Sequence, residues 1–246
     1  MENWFTYDWS VRQAPAIFTV DTQYERPLAR AQTLLYCSCM PVDETAEELS
    51  AGEVRRVERL IKQIQRELPQ SVCVGDIRMR AQWQFYFYTK DPQEAQVLDE
   101  LCEFERKLYC QCGSANEPNW LTYFSLLMPD AAKYQTEQNR KVIAMMAERG
   151  DGRRVSRRIT FLVFFPTEQE ALLYKQQARY SGFAIGNDVY APEMELSYGV
   201  ELCCVSNLRK RSIDQYTTTA IRLAEPLGGS LLRWECPLVP KKHPLA

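Results

Sequence analysis

Histidine is nearly absent: His243 is the only one in 246 residues. It sits on a tail beside Lys241-Lys242 and Pro244, where nothing preorganises it. A histidine-based triad or general base is therefore not expected. Glycine is sparse too, with ten residues, and none belongs to a loop that opens a helix to cradle phosphate. Gly228-Gly229 follows a helical stretch and reads as a cap and turn. No run approaches the roughly eighteen uncharged apolar residues that a membrane span requires. Met1-Glu2-Asn3-Trp4 has neither the basic flank nor the apolar core of a secretory signal. A net charge of −2 does not suit a general polyanion binder.

Cysteine, by contrast, is plentiful. The nine residues are an odd number and lie in apolar strand-like segments, which fits reduced thiols in a cytoplasm better than a disulfide framework. Cys37-Ser38-Cys39 and Cys110-Gln111-Cys112 are the places to look for a thiol-dependent or metal-binding activity. Structural zinc, however, uses pairs spaced by about two to four residues. A spacing of two on a strand only puts both side chains on one face. The reading is buried structural thiols, no metal and no cofactor. Cys203-Cys204 would point to opposite faces.

Charge divides the chain. Residues 1–150 carry 17 Lys+Arg against 22 Asp+Glu, and residues 151–246 carry 13 against 10. Two separate units are expected: an α+β domain over 1–129, a connecting helix over 130–149, and a second domain over 150–246.

In the first half, Trp4, Phe5, Tyr7 and Trp9 make an aromatic opening suited to covering an edge or a core. Ala16–Val20 and Gln32–Cys39 alternate as strands. Ser50-Ala51-Gly52-Glu53 is a capping box ahead of a stripe from Val54 to Leu68. Val72–Val74 and Ile77–Tyr88 read as strands with a hairpin turn at Gly75-Asp76 or near Arg80–Gln82. Asp91-Pro92 looks like a helix N-cap followed by proline at the first helical position. Trp120–Leu127 looks like a last strand, and Pro129-Asp130 opens a helix that Gly150 breaks. The order is β-β-α-β-β-α-β.

The second half is organised around Ile159–Phe165, a short buried strand, and the capping box Thr167-Glu168-Gln169-Glu170 that follows Pro166. Gly182 stops that helix and Phe183 packs beyond it. Strands follow at Phe183–Val189 and Ser197–Ser206. Then come a helix capped by Ser212 and a strand Ser230–Cys236 with Leu232, Trp234 and Cys236 inward. The order β-α-β-β-α-β is ferredoxin-like. The expected architecture is thus two ferredoxin-like domains, each an antiparallel sheet with helices on one face.

Several of these residues carry a family resemblance. Val142-Ile143, Gly150-Asp151, Arg157, Phe164-Phe165, Ser181-Gly182-Phe183 and Gly228-Gly229-Ser230-Leu231-Leu232-Arg233-Trp234-Glu235 are similar to the bacterial regulator of ribonuclease E activity B family. Gln82–Tyr88 leading into Asp91, with Pro118-Asn119-Trp120-Leu121-Thr122-Tyr123 and Leu127-Met128-Pro129, resembles a family of unknown function, number 695, often fused in front of that regulator. The resemblance implies a non-catalytic protein that binds a ribonuclease and modulates RNA decay.

One surface is singled out by charge: Arg153-Arg154 and Arg157-Arg158, with Arg209-Lys210-Arg211. These seven residues are the candidates for binding an acidic segment of a protein partner. Direct binding of single-stranded RNA through Arg153–Arg158 is the alternative. Ser197–Ser206 lacks the glycine–aromatic alternation that stacks bases on RNA-recognition sheets.

Overall fold

The computed structural model describes residues 3–240, in two compact units, Met1–Pro129 and Asp130–Ala246. His243, with Lys241 and Lys242, lies outside the described residues.

In the first unit, strands β1 (Trp4–Val11) and β2 (Ala14–Asp21) form a hairpin. Its two-residue turn puts Arg12 and Gln13 at φ 49° and 71°, the left-handed pair whose twist matches that of the strands. The aromatic opening is therefore itself a strand: Tyr7 points inward while Trp4 stays partly exposed. Strand β3 (Thr33–Met40), helix α1 (Ala51–Glu67), strands β4 (Ser71–Met79) and β5 (Gln82–Thr89), helix α2 (Glu94–Phe104) and strand β6 (Tyr109–Asn116) follow. The sheet order β1-β2-β4-β5-β3-β6 contains the ferredoxin-like arrangement of β3, β4, β5 and β6, with the first hairpin added beside β4.

The Ser50–Glu53 capping box forms as expected, Ser50 Oγ accepting from Glu53 N and the Glu53 carboxylate from Ser50 N. It starts α1, which lays Val57, Leu60, Ile61 and Ile64 over Leu35, Phe85 and Phe87. Of the two hairpin positions, Arg80-Ala81 is the turn, closed by the Met79–Gln82 pair. Gly75 lies instead at a bulge between β4 and β5. A Cβ there would come within 2.6 Å of the Thr19 carbonyl oxygen, which is the reason for glycine.

Two expectations fail in this unit. Asp91 does not cap α2; the helix begins at Glu94. The Glu94 carboxylate is buried and accepts from Gln70 N (2.8 Å), Ser71 Oγ (2.5 Å) and Thr89 Oγ1 (2.6 Å). That places the first turn where Glu94 reaches two strands. Trp120–Leu127 is no strand either; Thr122–Leu127 is a π-helical turn, and β6 closes the sheet. The fully buried residues there are Trp120, Tyr123 and Leu127, a spacing of three and four that belongs to a helix rather than to period two. They cover the face opposite α1 and α2, over Tyr7, Phe18, Leu34, Tyr86 and Tyr88.

Asp76 on β4 accepts a 2.7 Å hydrogen bond from Trp83 Nε1. Desolvation by burial pushes its carboxyl up to about 6, against the opposing pull of that bond and of Arg78. An acid whose pKa is raised on folding keeps its proton longer in the folded state. Its contribution to stability therefore falls as pH rises from about 4 to about 6. Asp76→Asn keeps an acceptor for Trp83 and removes the titration. Urea unfolding at a series of pH values should show the variant gaining on the wild type across that window; parallel curves would refute the assignment.

The second unit consists of helix α3 (Ala131–Glu148), strand β7 (Arg157–Phe165), helix α4 (Glu168–Tyr180), strands β8 (Ala184–Tyr190) and β9 (Tyr198–Ser206), helix α5 (Lys210–Ala224) and strand β10 (Ser230–Glu235). The order β10-β7-β9-β8 is again ferredoxin-like, with all neighbours antiparallel. Ile159, Phe161, Val163 and Phe165 of β7 meet Ala171, Tyr174 and Ala178 of α4 and Ile213 and Ala220 of α5. The Thr167–Glu170 capping box is present. Gly182, at φ 88°, ends α4, and Phe183 N donates to Ala178 O at 3.1 Å, the closing bond of a left-handed helix stop.

Helix α3, read from sequence as a connecting piece, packs along α5 within this unit. Its buried Asn139 donates through Nδ2 to Asp214 Oδ1 and Thr217 Oγ1, each at 2.9 Å. Asn139 Oδ1 accepts from Gln135 Nε2 (2.9 Å) and Trp234 Nε1 (2.8 Å). One amide with its hydrogen-bonding capacity used thus ties α3, α5 and β10 together.

Two local readings are corrected here as well. Ser212 is not the cap of α5, which starts at Lys210 after Arg209. Asn207 Oδ1 instead accepts from Arg209 N (3.0 Å) and Ser212 Oγ (3.3 Å). Leu232 is half exposed rather than inward, because a register shift between Leu231 and Arg233 turns the strand before Trp234.

Candidate partner-binding surface

Strand β7 alternates, so its two faces have different tasks. Ile159, Phe161 and Val163 go under the helices, while Arg158, Thr160 and Leu162 face the open side of the sheet. There they meet Glu201, Cys203 and Val205 of β9 through the Thr160–Cys203 and Arg158–Val205 pairs. Arg158 Nη2 lies 3.3 Å from Glu201 Oε1 and 2.9 Å from Cys203 Sγ. Arg233 and Glu235 of β10 pair at 3.2 Å and share a shallow depression with Thr160, Leu162 and Glu201.

At one end of this sheet two separate basic segments come together. Arg153 and Arg154 lie in the turn that closes with Val155 N donating to Gly152 O at 2.8 Å. Leu208 N donates to Arg153 O, also at 2.8 Å, which brings the segment before α5 alongside. The segment it brings carries Arg209 and Arg211, and these two with Arg153 and Arg154 are all exposed. Among the described residues, no side-chain hydrogen bond or ion pair neutralises any of the four. Lys210 is committed to Asp214 at 2.8 Å, one helical turn on. Val155 and Val205 are exposed apolar side chains in the same segments.

Arg157 is not part of this surface. Its side chain is 3% exposed and its guanidinium Nη1 lies 2.5 Å from Asp151 Oδ2. Of the seven arginines and lysines singled out by charge, Arg153, Arg154, Arg158, Arg209 and Arg211 remain as surface cations outside the Lys210–Asp214 pair. Sequence inspection missed the role of Asp151, although it stands six residues before Arg157. An acid and an arginine flanking a turn just ahead of a buried strand was the available signal.

The cysteine pairs do meet. The β3–β6 register sets Cys37 opposite Cys112 and Cys39 opposite Cys110, and Cys102 of α2 joins them. In the sequence Cys102 reads as one more member of the apolar side of its helix, with Ala95 and Leu98, and nothing local sets it beside the cysteine pairs. Among the described residues, no group of three or more His, Cys, Asp or Glu is arranged to hold a metal ion. No helix among them is long and apolar enough to cross a membrane.

Comparison with known proteins gives two family matches in chain order. Residues 2–128 match a family of unknown function (DUF695), and residues 136–236 match Regulator of ribonuclease activity B. No curated protein matches the chain. Among solved structures, an unknown protein from Galdieria sulphuraria aligns over 84% of this chain and 99% of its own, at 12% identity and a TM-score of 0.22. A putative glycine cleavage system transcriptional repressor aligns over 84% of this chain and 98% of its own, at 9% identity and a TM-score of 0.23.

Proposed function

Because the chain belongs to the family of unknown function DUF695 through residues 2–128 and matches Regulator of ribonuclease activity B over residues 136–236, we propose that it is a non-catalytic regulatory protein. It acts by binding another protein, a ribonuclease, and thereby modulates RNA decay. The observation that carries the choice of surface is the bond from Leu208 N to Arg153 O that joins the two basic segments, with Arg153, Arg154, Arg209 and Arg211 exposed and, among the described residues, without an acid to neutralise them. Guanidinium groups with free forks suit carboxylates held on a mobile acidic segment. Exposed Val155 and Val205 add apolar contact within the same patch. All nine cysteines are unpaired thiols, which suits a reducing compartment such as the cytoplasm.

Direct binding of single-stranded RNA uses the same arginines but fits this sheet less well. Its open face presents Thr160, Leu162, Glu201 and Cys203, and Phe164, the aromatic ring of β7 on that face, is 3% exposed. The carboxylates of Glu201 and Glu235 would stand against phosphate.

The test is a triple charge reversal, Arg153→Glu, Arg154→Glu and Arg211→Glu. Binding to a ribonuclease with an acidic segment should weaken at least about tenfold, at roughly 1.4 kcal/mol per decade. The unfolding transition should be unchanged, because these side chains are exposed. Wild-type binding should weaken with added salt. Undiminished ribonuclease binding by the variant would remove the surface. Wild-type affinity for single-stranded RNA in place of ribonuclease, lost on reversal, would transfer the surface to the RNA reading.

A further inference from the structure

The first unit holds a chemistry that the regulatory reading does not use. Cys37 and Cys39 rise from the inner strand β3, Cys110 and Cys112 from the edge strand β6, and Cys102 descends from α2. Cys37 Sγ lies 3.5 Å from Cys102 Sγ and 3.8 Å from Cys39 Sγ, and Cys110 Sγ lies 3.9 Å from Cys39 Sγ. Cys39 and Cys110 are directly opposed in the antiparallel ladder. Opposed residues have Cα atoms about 4.5–5.5 Å apart, inside the roughly 4.4–6.8 Å that a disulfide spans. The ladder spacing of the pair therefore falls within the range that a disulfide needs.

Solvent approaches the cluster from one side. Cys37 and Cys39 are 0% exposed and Cys102 is 5% exposed, while Cys110 and Cys112 are half-buried on the sheet edge. The two edge thiols differ in character. Burial, with the Asp99 carboxylate 3.2 Å away, pushes Cys112 up to about 11. The neighbouring thiols, Cys102 first and then Cys37 and Cys39, draw Cys110 below the ordinary thiol range. The same thiol–thiol contacts, ahead of burial, hold Cys37, Cys39 and Cys102 above it. The thiolate is the reactive form, and of the opposed pair it is Cys110, half-buried on the edge strand, that an oxidant can reach, while Cys39 is 0% exposed.

We propose that Cys110 and Cys39 are a peroxide-responsive modification site that closes reversibly into a cross-strand disulfide. A hydroperoxide is the oxidant. The Cys110 thiolate attacks its terminal oxygen; the S–O bond forms, the O–O bond breaks, and hydroxide or alkoxide leaves to be protonated. Sulfur has given up two electrons and the peroxide has taken them. The Cys39 thiol then attacks the sulfenic sulfur, the S–S bond forms, the S–O bond breaks, and water leaves with the Cys39 proton. With hydrogen peroxide, two thiols and one peroxide give one disulfide and two waters. A dithiol reductant reverses the change by thiol–disulfide exchange.

The full chain, reduced and freed of reductant, is treated with a small molar excess of hydrogen peroxide, alkylated, digested and mapped by mass spectrometry. The expected result is the loss of two of the nine free thiols, a Cys39–Cys110 linked peptide, and full recovery with dithiothreitol. Cys110→Ser should abolish that linkage and Cys112→Ser should leave it. Should Cys110→Ser fail to fold, the wild-type map decides alone. Retention of all nine alkylated thiols, a linkage that omits Cys110, or purification with stoichiometric zinc or copper on these sulfurs would each overturn the proposal.

Discussion

Arg157→Met is expected to destabilise the second unit by about 3–5 kcal/mol, because it leaves the Asp151 carboxylate buried without its counter-charge. The loss is large because the guanidinium is used so fully. Arg157 Nη1 reaches Asp151 Oδ2 and, at 3.1 Å, Pro237 O. Nη2 donates to Gly152 O at 2.9 Å, and Nε donates to Val155 O at 3.2 Å. Asp151 is 0% exposed, accepts a further bond from Val239 N at 2.8 Å, and has no partner among the described residues for Oδ1. One ion pair thus holds the turn before β7 to the segment after β10, where Asp151 and Pro240 also form a β-bridge.

Denaturant unfolding of Arg157→Met, Asp151→Leu and the double variant measures this directly. The double variant should cost well below the sum of the singles, since removing both charges leaves no unpaired ion. Additive losses would mean that the pair is no coupled unit. Arg157→Lys should fall between wild type and Arg157→Met: it keeps the charge but loses the planar fork that serves three carbonyls.

Trp120→Ala carries a comparable expected loss in the first unit, about 3–5 kcal/mol for a fully buried indole. Trp120 is stacked on Tyr88, with centroids 4.1 Å apart and planes 8° from parallel, and takes the ring edges of Tyr24 and Tyr123. Its Nε1 donates to Ala31 O at 2.6 Å. Removing the ring opens a cavity and orphans a carbonyl at once. The backbone there is also held unusually, at φ 51°, a conformation that a bulky residue adopts only when its surroundings impose it. Glu117 supplies part of that constraint, taking the Tyr88 hydroxyl, Thr122 N (2.9 Å) and Thr122 Oγ1 (2.8 Å). Trp120→Phe should recover most of the packing but not the hydrogen bond, at a residual cost of about 1–3 kcal/mol. A loss below about 1 kcal/mol for Trp120→Ala, in urea unfolding followed by circular dichroism, would contradict this account.

These two positions also mark where sequence reading stops. Trp120–Leu127 resembles a strand because its residues are aromatic and β-forming, and so short a window cannot separate period two from period 3.6. The deciding fact is that Tyr24, Tyr88 and Ala31, far off in the chain, surround Trp120. Arg157 was read as a surface cation from its neighbours Arg153, Arg154 and Arg158. Alternation along β7 turns it inward instead, onto a carboxylate and three backbone carbonyls. The basic patch itself was half visible: its residues were named, but the bond from Leu208 N to Arg153 O that brings the two segments together is a tertiary contact.

What the sequence settles alone is short-ranged. The boxes Ser50–Glu53 and Thr167–Glu170 start helices, Gly182 ends one, and in the second unit the strand–helix order yields the ferredoxin-like sheet. Each of these rests on residues within one helical turn or one strand repeat of each other, so the chemistry is complete before the chain folds. The meeting of Cys39 with Cys110, of Arg157 with Asp151 and Pro237, and of Arg153 with Leu208 waits for strand register and loop closure. Register depends on which faces the sheet must bury, a property of the packed unit and of no local stretch.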